Sequence, residues 1–195
     1  INVDECHIDM LSASGHKLNG PKGIGFLYIR TGVKIRSFIH GGSQDRKRWA
    51  GTENVPGIVG LGTAARLAAD TMEARSRQET GLRDHLIHRV LTEIPYCRLN
   101  GHPTDRLPNN ANFSFQFIGG ESLLNLLDSN GICASSGSAC SKGEASHTLQ
   151  AMGLPRDRVD TAVRVSFCGE NTPEDVDALL AALRCGVAEI AKIRR

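Results

Sequence analysis

The sequence predicts an α/β segment rich in glycine, followed by an α+β domain. A continuous apolar run, GIGFLYI at 23–29, follows a Gly-Pro turn and is typical of a buried strand. From Val55 to about Glu93, apolar residues recur with the period of a helix. After Pro95, phenylalanines alternate with polar residues in NFSFQFIG at 112–119, which indicates a half-buried strand.

The elements of the first segment follow from local composition. DMLSAS at 9–14 predicts a strand that ends in a loop at Gly15. Glycine and charged residues dominate 40–54, which predicts a long loop before the helical stretch. Gly81 interrupts the helical pattern, so we expect a bend there between two helices.

The elements of the second segment are predicted in the same way. A short helix at 120–131 is stopped by a glycine, and AVRVSF at 162–167 predicts another strand. A final amphipathic helix begins with Thr172 as N-cap and Pro173 in the first turn. The boundary between the segments is expected inside the helical stretch, which gives domains at 1–73 and 74–195.

Composition excludes several function classes. A formal net charge of +2 gives no basic surplus for nucleic acid, and no uninterrupted apolar run is long enough to span a membrane. The six cysteines form no CxxC pair, and the histidines are not spaced from them as metal ligands. We therefore expect no metal site, free thiols in a reducing cytoplasm, and no nucleic-acid or membrane partner.

Lys17 lies in SASGHKLNGPKG, residues 12–23, close to two side chains that suit a phosphate. Ser14 offers a hydroxyl and His16 a ring N–H, and nearby glycines allow the backbone to approach a ligand closely. Neither common nucleotide-binding glycine motif fits the chain. A lysine beside phosphate donors without a nucleotide motif suggests pyridoxal 5'-phosphate, held as a Schiff base through the amine.

Cys140 lies in SSGSACSKGEASH, a run of small and polar residues that predicts an exposed mobile loop. A reactive thiol in such a loop suits a carrier of sulfur. Cys133, seven residues earlier, is predicted to lie in a core strand, and the other cysteines are predicted to act as small hydrophobic residues.

Three stretches resemble cysteine desulfurases of the NifS/IscS type, within the class V aminotransferase superfamily. They are SASGHKLNGPKGIGFLYIR (12–30), RWAGTENVPGIVGLGTA (48–64) and SSGSACSKG (135–143), and the similarity continues to AVRVSFCGENTPEDVD (162–177). The resemblance implies a fold-type-I PLP-transferase large domain, incomplete here and ending near residue 73. An α+β C-terminal small domain carrying the cysteine loop would follow it.

The resemblance also implies roles for individual residues. Lys17 would carry the cofactor, with Ser14 and His16 holding its phosphate. Thr52, which local sequence alone suggests as a helix-start hydroxyl, would reach the phosphate of the neighbouring subunit in a homodimer. Cys140 would take sulfur from L-cysteine as a persulfide, for delivery to an acceptor or scaffold protein in iron–sulfur cluster or other sulfur-transfer pathways.

Arg164 would bind the carboxylate of the substrate as a bidentate pair. It alternates with two valines in a predicted strand, where the simpler interpretation of a charged residue is that it forms a salt bridge at the edge of the sheet. The family's RxS motif favours the substrate role.

The resemblance covers roughly the second half of a full-length family member. The family's ring-nitrogen aspartate and stacking histidine lie farther upstream than the sixteen residues before Lys17, and the interval after Cys140 is shorter than usual. We therefore expect a truncated chain with little desulfurase activity alone. A selenocysteine lyase or another class V aminotransferase remains an alternative, as does a non-catalytic binding or regulatory module.

Overall fold

The structure is a computed structural model that describes residues 1–137 and 145–193, with side chains described up to residue 188. Packing divides the chain into two compact units, Ile1–Met72 and Glu73–Arg195. The division falls within one long helix. Among the described residues, no helix is both long enough and apolar enough to cross a membrane.

The first unit is built on a β-hairpin. Strands β1 (Met10–Ser14) and β2 (Gly25–Ile29) pair antiparallel, and a 3-10 helix at Gly15–Leu18 begins the connection between them. The short α1 (Gln44–Lys47) follows, and then α2 (Val55–Glu93) begins. Arg30 holds the N-terminal segment to the hairpin, because its guanidinium donates to Asp4 and to two backbone carbonyls.

The second unit contains a three-stranded antiparallel sheet in the order β3-β4-β5. Its elements, after the end of α2, are β3 (Cys97–Leu99), β4 (Asn110–Phe115), α3 (Gly120–Ser129), α4 (His147–Ala151), α5 (Arg156–Asp160), β5 (Ala162–Ser166) and α6 (Pro173–Ile193). One sheet face packs against α2, α3 and α6 around a core whose largest fully buried side chains include Phe113, Phe115, Leu86, Leu123 and Leu180.

The opposite sheet face is polar. Asn112 and Ser114 on β4 alternate with core phenylalanines, and Asn100 is nearly fully buried beside them. A small apolar cluster of Leu149, Val159 and Ala162 covers part of this face. The period of two along β4 therefore separates an apolar core from a polar layer.

Two sequence-based predictions about the helices are corrected. Helix α2 continues through Gly81 without a break, because a single glycine costs only about 1 kcal/mol in a helix whose packed side makes up the loss. At the start of α6, the side chain of Asp175 accepts from the backbone N–H of Thr172 (3.0 Å) and from Asn171 (3.0 Å). Thr172 occupies the predicted N-cap position, since α6 begins at Pro173, but the side chain that caps this end is Asp175 and not the Thr172 hydroxyl.

Three predictions about burial are wrong. The run at 23–29 does form a strand, but Phe26 is 45% and Leu27 52% exposed, because within the described part of its unit β2 pairs only with β1. Cys133 is exposed and lies outside any described strand, as the chain has already left α3 and has not yet reached β5. Cys6, Cys168 and Cys185 are exposed as well.

Candidate active site

Lys17 lies in the tight turn that follows β1. The 3-10 helix Gly15–Leu18 places His16 and Lys17 on the surface, and Ser14 occupies the position just before its first residue. The Ser14 side chain makes no capping hydrogen bond, so its hydroxyl remains available to a ligand. An amine, a hydroxyl and an imidazole are therefore exposed within four consecutive residues, a donor set suited to an anion such as a phosphate.

The glycines of this turn also have a structural role. The N–H of Gly15 donates to the carbonyl of Ile24 (2.8 Å), and the N–H of Gly20 donates to the carbonyl of Gly15 (2.9 Å). A Cβ added at Gly15 would lie 3.0 Å from the Ile24 side chain and 3.1 Å from the carbonyl of Pro21. These glycines let the chain pack closely on itself, and so they fix the turn that carries Lys17.

Thr52 precedes α2 and is exposed. The side chain that caps the helix is Asn54, whose Oδ1 accepts from the N–H of Gly57 at 3.1 Å. Thr52 is thus not the helix-start hydroxyl that local sequence suggests, and its Oγ1 makes no hydrogen bond to any described residue. This leaves the hydroxyl free to bind a ligand.

Arg164 lies in the second unit, on β5, where it lines a cavity of about 290 Å³. Its backbone forms a bridge with Ser135, and its Nε is buried without a hydrogen-bond partner. Within the described residues, the Arg164 guanidinium has neither the edge salt bridge that a strand cation usually makes nor any other partner. A buried guanidinium nitrogen without a partner is costly, and a bound carboxylate would supply an acceptor for it.

The neighbouring Arg106 differs from Arg164 because its donors are already used. Arg106 donates to the backbone carbonyls of Asn100, His102 and Asn110. Burial lowers the pKa of Arg106, as does the nearby charge of Arg83. Arg106 therefore shapes the loop beside the cavity, while Arg164 retains free donors.

The charge of the cavity favours an anion. Its described lining includes Arg164, Arg106 and His147 but no aspartate or glutamate. A second cavity of about 440 Å³, at the other end of the polar sheet face, is lined by both Arg158 and two aspartates, Asp157 and Asp160. The first cavity is thus the more suitable of the two for a carboxylate.

Cys140 lies outside the described residues. Ser136 and Gly137, just before the undescribed segment 138–144, and Ser146, just after it, line the Arg164 cavity. The Ser135 hydroxyl donates to the Gly137 carbonyl (2.6 Å), and Ser146 caps α4. The chain therefore enters and leaves the segment that contains Cys140 at the rim of this cavity.

The structure adds polar residues that the sequence did not single out, namely Asn112 and Asn100 near Arg164. The alternation of NNANFSF at 109–115 was a usable signal, since it places asparagines on the face opposite the core.

Burial raises the pKa of the Cys97 thiol to about 12, so this cysteine stays protonated and is a poor nucleophile. Among the described residues, no group of three or more His, Cys, Asp or Glu side chains is arranged to hold a metal ion.

Sequence comparison finds that the family model for aminotransferase class-V matches residues 1–179. The cysteine desulfurase IscS of Methanosarcina thermophila is 54% identical over 182 residues, which cover 92% of this chain and 45% of that protein. A cysteine desulfurase of Gluconacetobacter diazotrophicus is 50% identical over 196 residues, covering 100% of this chain and 48% of that protein. The chain spans about half the length of the curated relatives it matches.

Structural comparison gives the same result. A NifS-like protein from Rickettsia africae superposes with a TM-score of 0.85 at 29% identity, covering 98% of this chain and 50% of that chain. The mixed α/β arrangement of the described residues is that of a partial fold-type-I domain, as in these NifS-like proteins.

Proposed function

The chain belongs to the class V aminotransferase family, and on that premise we propose that its residues carry out the desulfuration of L-cysteine with pyridoxal 5'-phosphate. Members of this family depend on that cofactor. The observation that carries the proposal is the Gly15–Leu18 turn, which exposes Lys17 beside a hydroxyl and an imidazole that have no competing role in the turn. The names of the relatives support cysteine as the substrate.

The residues fit the cofactor. Lys17 would hold it through the side-chain amine, while Ser14 and His16 would donate to its phosphate. When bound, the cofactor supplies an electron sink that stabilises negative charge on carbon atoms near the substrate amino group. Thr52 would donate to the phosphate bound by a second copy of the chain, which makes a homodimer part of the proposal.

The remaining roles concern the substrate. Arg164 would bind the carboxylate of L-cysteine, because its free donors lie in a cavity whose described lining has no acidic side chain. The Cys140 thiolate would form a bond to the substrate sulfur as the carbon–sulfur bond breaks. The electron pair of that bond stays on carbon, and Lys17 would supply the proton that completes L-alanine.

The other product of this reaction is a persulfide on Cys140. Its sulfur would pass to an acceptor or scaffold protein, in iron–sulfur cluster or other sulfur-transfer pathways. We place this activity in the cytoplasm, where thiols remain reduced.

The cofactor assignment is tested by reducing the mixture of protein and pyridoxal phosphate with borohydride and locating the label by peptide mass spectrometry. We expect the label on Lys17, its complete loss in Lys17→Ala, and full labelling in the control Lys22→Ala. Lys22 is exposed in the same connection but has no phosphate donors at neighbouring positions. A label that moves to Lys22, or persists in Lys17→Ala, would show that the assignment is wrong.

A further inference from the structure

Asn112 lies directly opposite Arg164 in the sheet. The two residues are partners in the antiparallel pairing of β4 and β5, at Asn112↔Arg164. Side chains of directly opposed residues lie on the same face, about 4.5–5.5 Å apart at Cβ. Both residues line the cavity described above, so Asn112 is the nearest cross-strand neighbour of the proposed carboxylate ligand.

The orientation of the Asn112 amide follows from its hydrogen-bond network. The Arg158 guanidinium, which can only donate, contacts Oδ1 of Asn100. The amide nitrogen of Asn100 must therefore face the other way, and it donates to Asn112 Oδ1 (2.8 Å) and Ser114 Oγ (2.7 Å). Asn112 consequently presents its oxygen to Asn100 and directs its NH₂ group away from that network.

The NH₂ group of Asn112 has no hydrogen-bond partner among the described residues. In this part of the chain, the buried side-chain nitrogen and oxygen atoms that lack a partner are Arg158 Nε and Arg164 Nε, so the Asn112 nitrogen is not one of them. The group is thus accessible, on a residue that lines a cavity with no acidic side chain in its described lining. Asn100 is only 3% exposed, so the network that orients Asn112 is fixed within the protein.

We propose that Asn112 is a further substrate-binding residue, whose side-chain NH₂ donates to the carboxylate that Arg164 binds. The proposal rests on the proposed function and deepens it. Arg164 supplies the charge, and Asn112 supplies a neutral donor at a fixed angle. The pair would therefore select ligands that have a carboxylate next to the amino group.

The test compares L-cysteine with cysteamine, which has the same thiol and amine but no carboxylate. It uses a full-length protein that contains residues 1–195 and is loaded with pyridoxal phosphate, because these residues alone are expected to have little activity. Asn112→Asp keeps an oxygen for Asn100 and replaces the donor with a negative charge. We expect the KM for L-cysteine to rise at least about tenfold, while the inhibition constant of cysteamine changes less than about twofold. In the control Ser114→Ala, which alters the same network without removing the NH₂ of Asn112, both constants should change less than about twofold.

If Asn112 had only a structural role, its replacement would weaken the binding of L-cysteine and of cysteamine to the same extent. Equal changes in the two constants would therefore overturn the proposal, and so would an unchanged KM for L-cysteine. If Asn112→Asp does not fold, the same two constants are measured for Asn112→Ala. We then expect the KM for L-cysteine to rise about threefold or more, while the inhibition constant of cysteamine stays unchanged. If the wild-type protein itself releases no alanine from L-cysteine, the proposed function fails. An active wild type with an unaffected Asn112→Asp refutes only the role of Asn112.

Discussion

Arg164 is distinguished from its neighbours by what it lacks. The guanidinium groups of Arg106 and Arg158 contact backbone carbonyls or Asn100. The Nε of Arg158 is also buried without a partner, but Arg164 is the one of the three whose guanidinium has no described partner at any nitrogen. An arginine kept without a partner in a concave site is destabilising unless a ligand completes its hydrogen bonds. Selection for stability alone would not favour such a residue, and this supports the proposal that Arg164 binds the carboxylate of the substrate.

Arg164→Lys preserves the charge and removes the fork that binds a carboxylate with two parallel hydrogen bonds. We expect the KM for L-cysteine to rise about 10- to 100-fold with a smaller change in kcat, as measured by alanine formation at varied substrate. Arg156→Lys serves as the control, because Arg156 is exposed and paired with Asp160 on α5. A KM equal to that of the wild type would remove Arg164 from the substrate site.

Sequence reasoning can group candidate site residues most easily where they are close along the chain. Ser14, His16 and Lys17 fall in one turn whatever the tertiary structure, so their grouping needed only local reasoning. The pairing of Asn112 with Arg164 depends on the register between two strands far apart in sequence. No local pattern encodes that register, and Asn112 was therefore missed.

For the helices too, some features follow from local sequence and others depend on tertiary packing. The period of α2, α3 and α6 is visible in the sequence, and helical structure was predicted for all three stretches, with α2 expected as two helices. The break at Gly81 was not observed, because the packing of Leu82 and Leu86 in the core outweighs the local preference of one glycine. The short α4 and α5 were not predicted, since five residues are too few to show a periodic pattern.

Asp175 stabilises the start of α6. Hydrogen bonds from the Asn171 side chain and then from the backbone of Thr172 lower the pKa of this carboxyl group below its ordinary value. Because the pKa is lowered in the folded state, the contribution of the ionised Asp175 carboxylate to the free energy of unfolding is complete above the ordinary aspartate pKa. It is lost as the pH falls through the lower, folded-state value.

We therefore expect Asp175→Asn to lower the Tm by a few degrees at pH 7. The difference from the wild type should narrow as the pH falls below the ordinary aspartate pKa of 3.8. Glu174→Gln is the matched control, since Glu174 is also an acidic residue of the first turn, whereas the hydrogen bonds from Asn171 and Thr172 go to Asp175. Thermal unfolding followed by circular dichroism measures both variants, and a Tm difference that stays constant with pH would contradict the role of the Asp175 charge.

The two units differ in how much apolar surface they bury. In the first unit, Phe26, Leu27 and Phe38 are all at least 45% exposed. In the second unit, one continuous core runs from Leu82 to Val187. Since apolar burial is the main source of folding free energy, the second unit has the means to fold by itself.

A fragment of residues 74–195 should therefore unfold in a single cooperative transition in urea. Leu86 is fully buried in its core, and Leu86→Ala should reduce the free energy of unfolding of the fragment by about 2–5 kcal/mol. A fragment without a cooperative transition would mean that its core requires the first unit.

The central claim is that sulfur leaves L-cysteine for the thiol of Cys140. The direct measurement is to incubate a full-length protein that contains residues 1–195 with pyridoxal phosphate and L-cysteine, quantify alanine, and locate the added sulfur atom by peptide mass spectrometry. Cys133 provides the matched control, because it is exposed and lies seven residues before Cys140. We expect the added sulfur on Cys140, loss of alanine formation in Cys140→Ala with the cofactor still linked to Lys17, and normal turnover in Cys133→Ala. Alanine formed at the wild-type rate by Cys140→Ala, or added sulfur found on Cys133, would contradict the account.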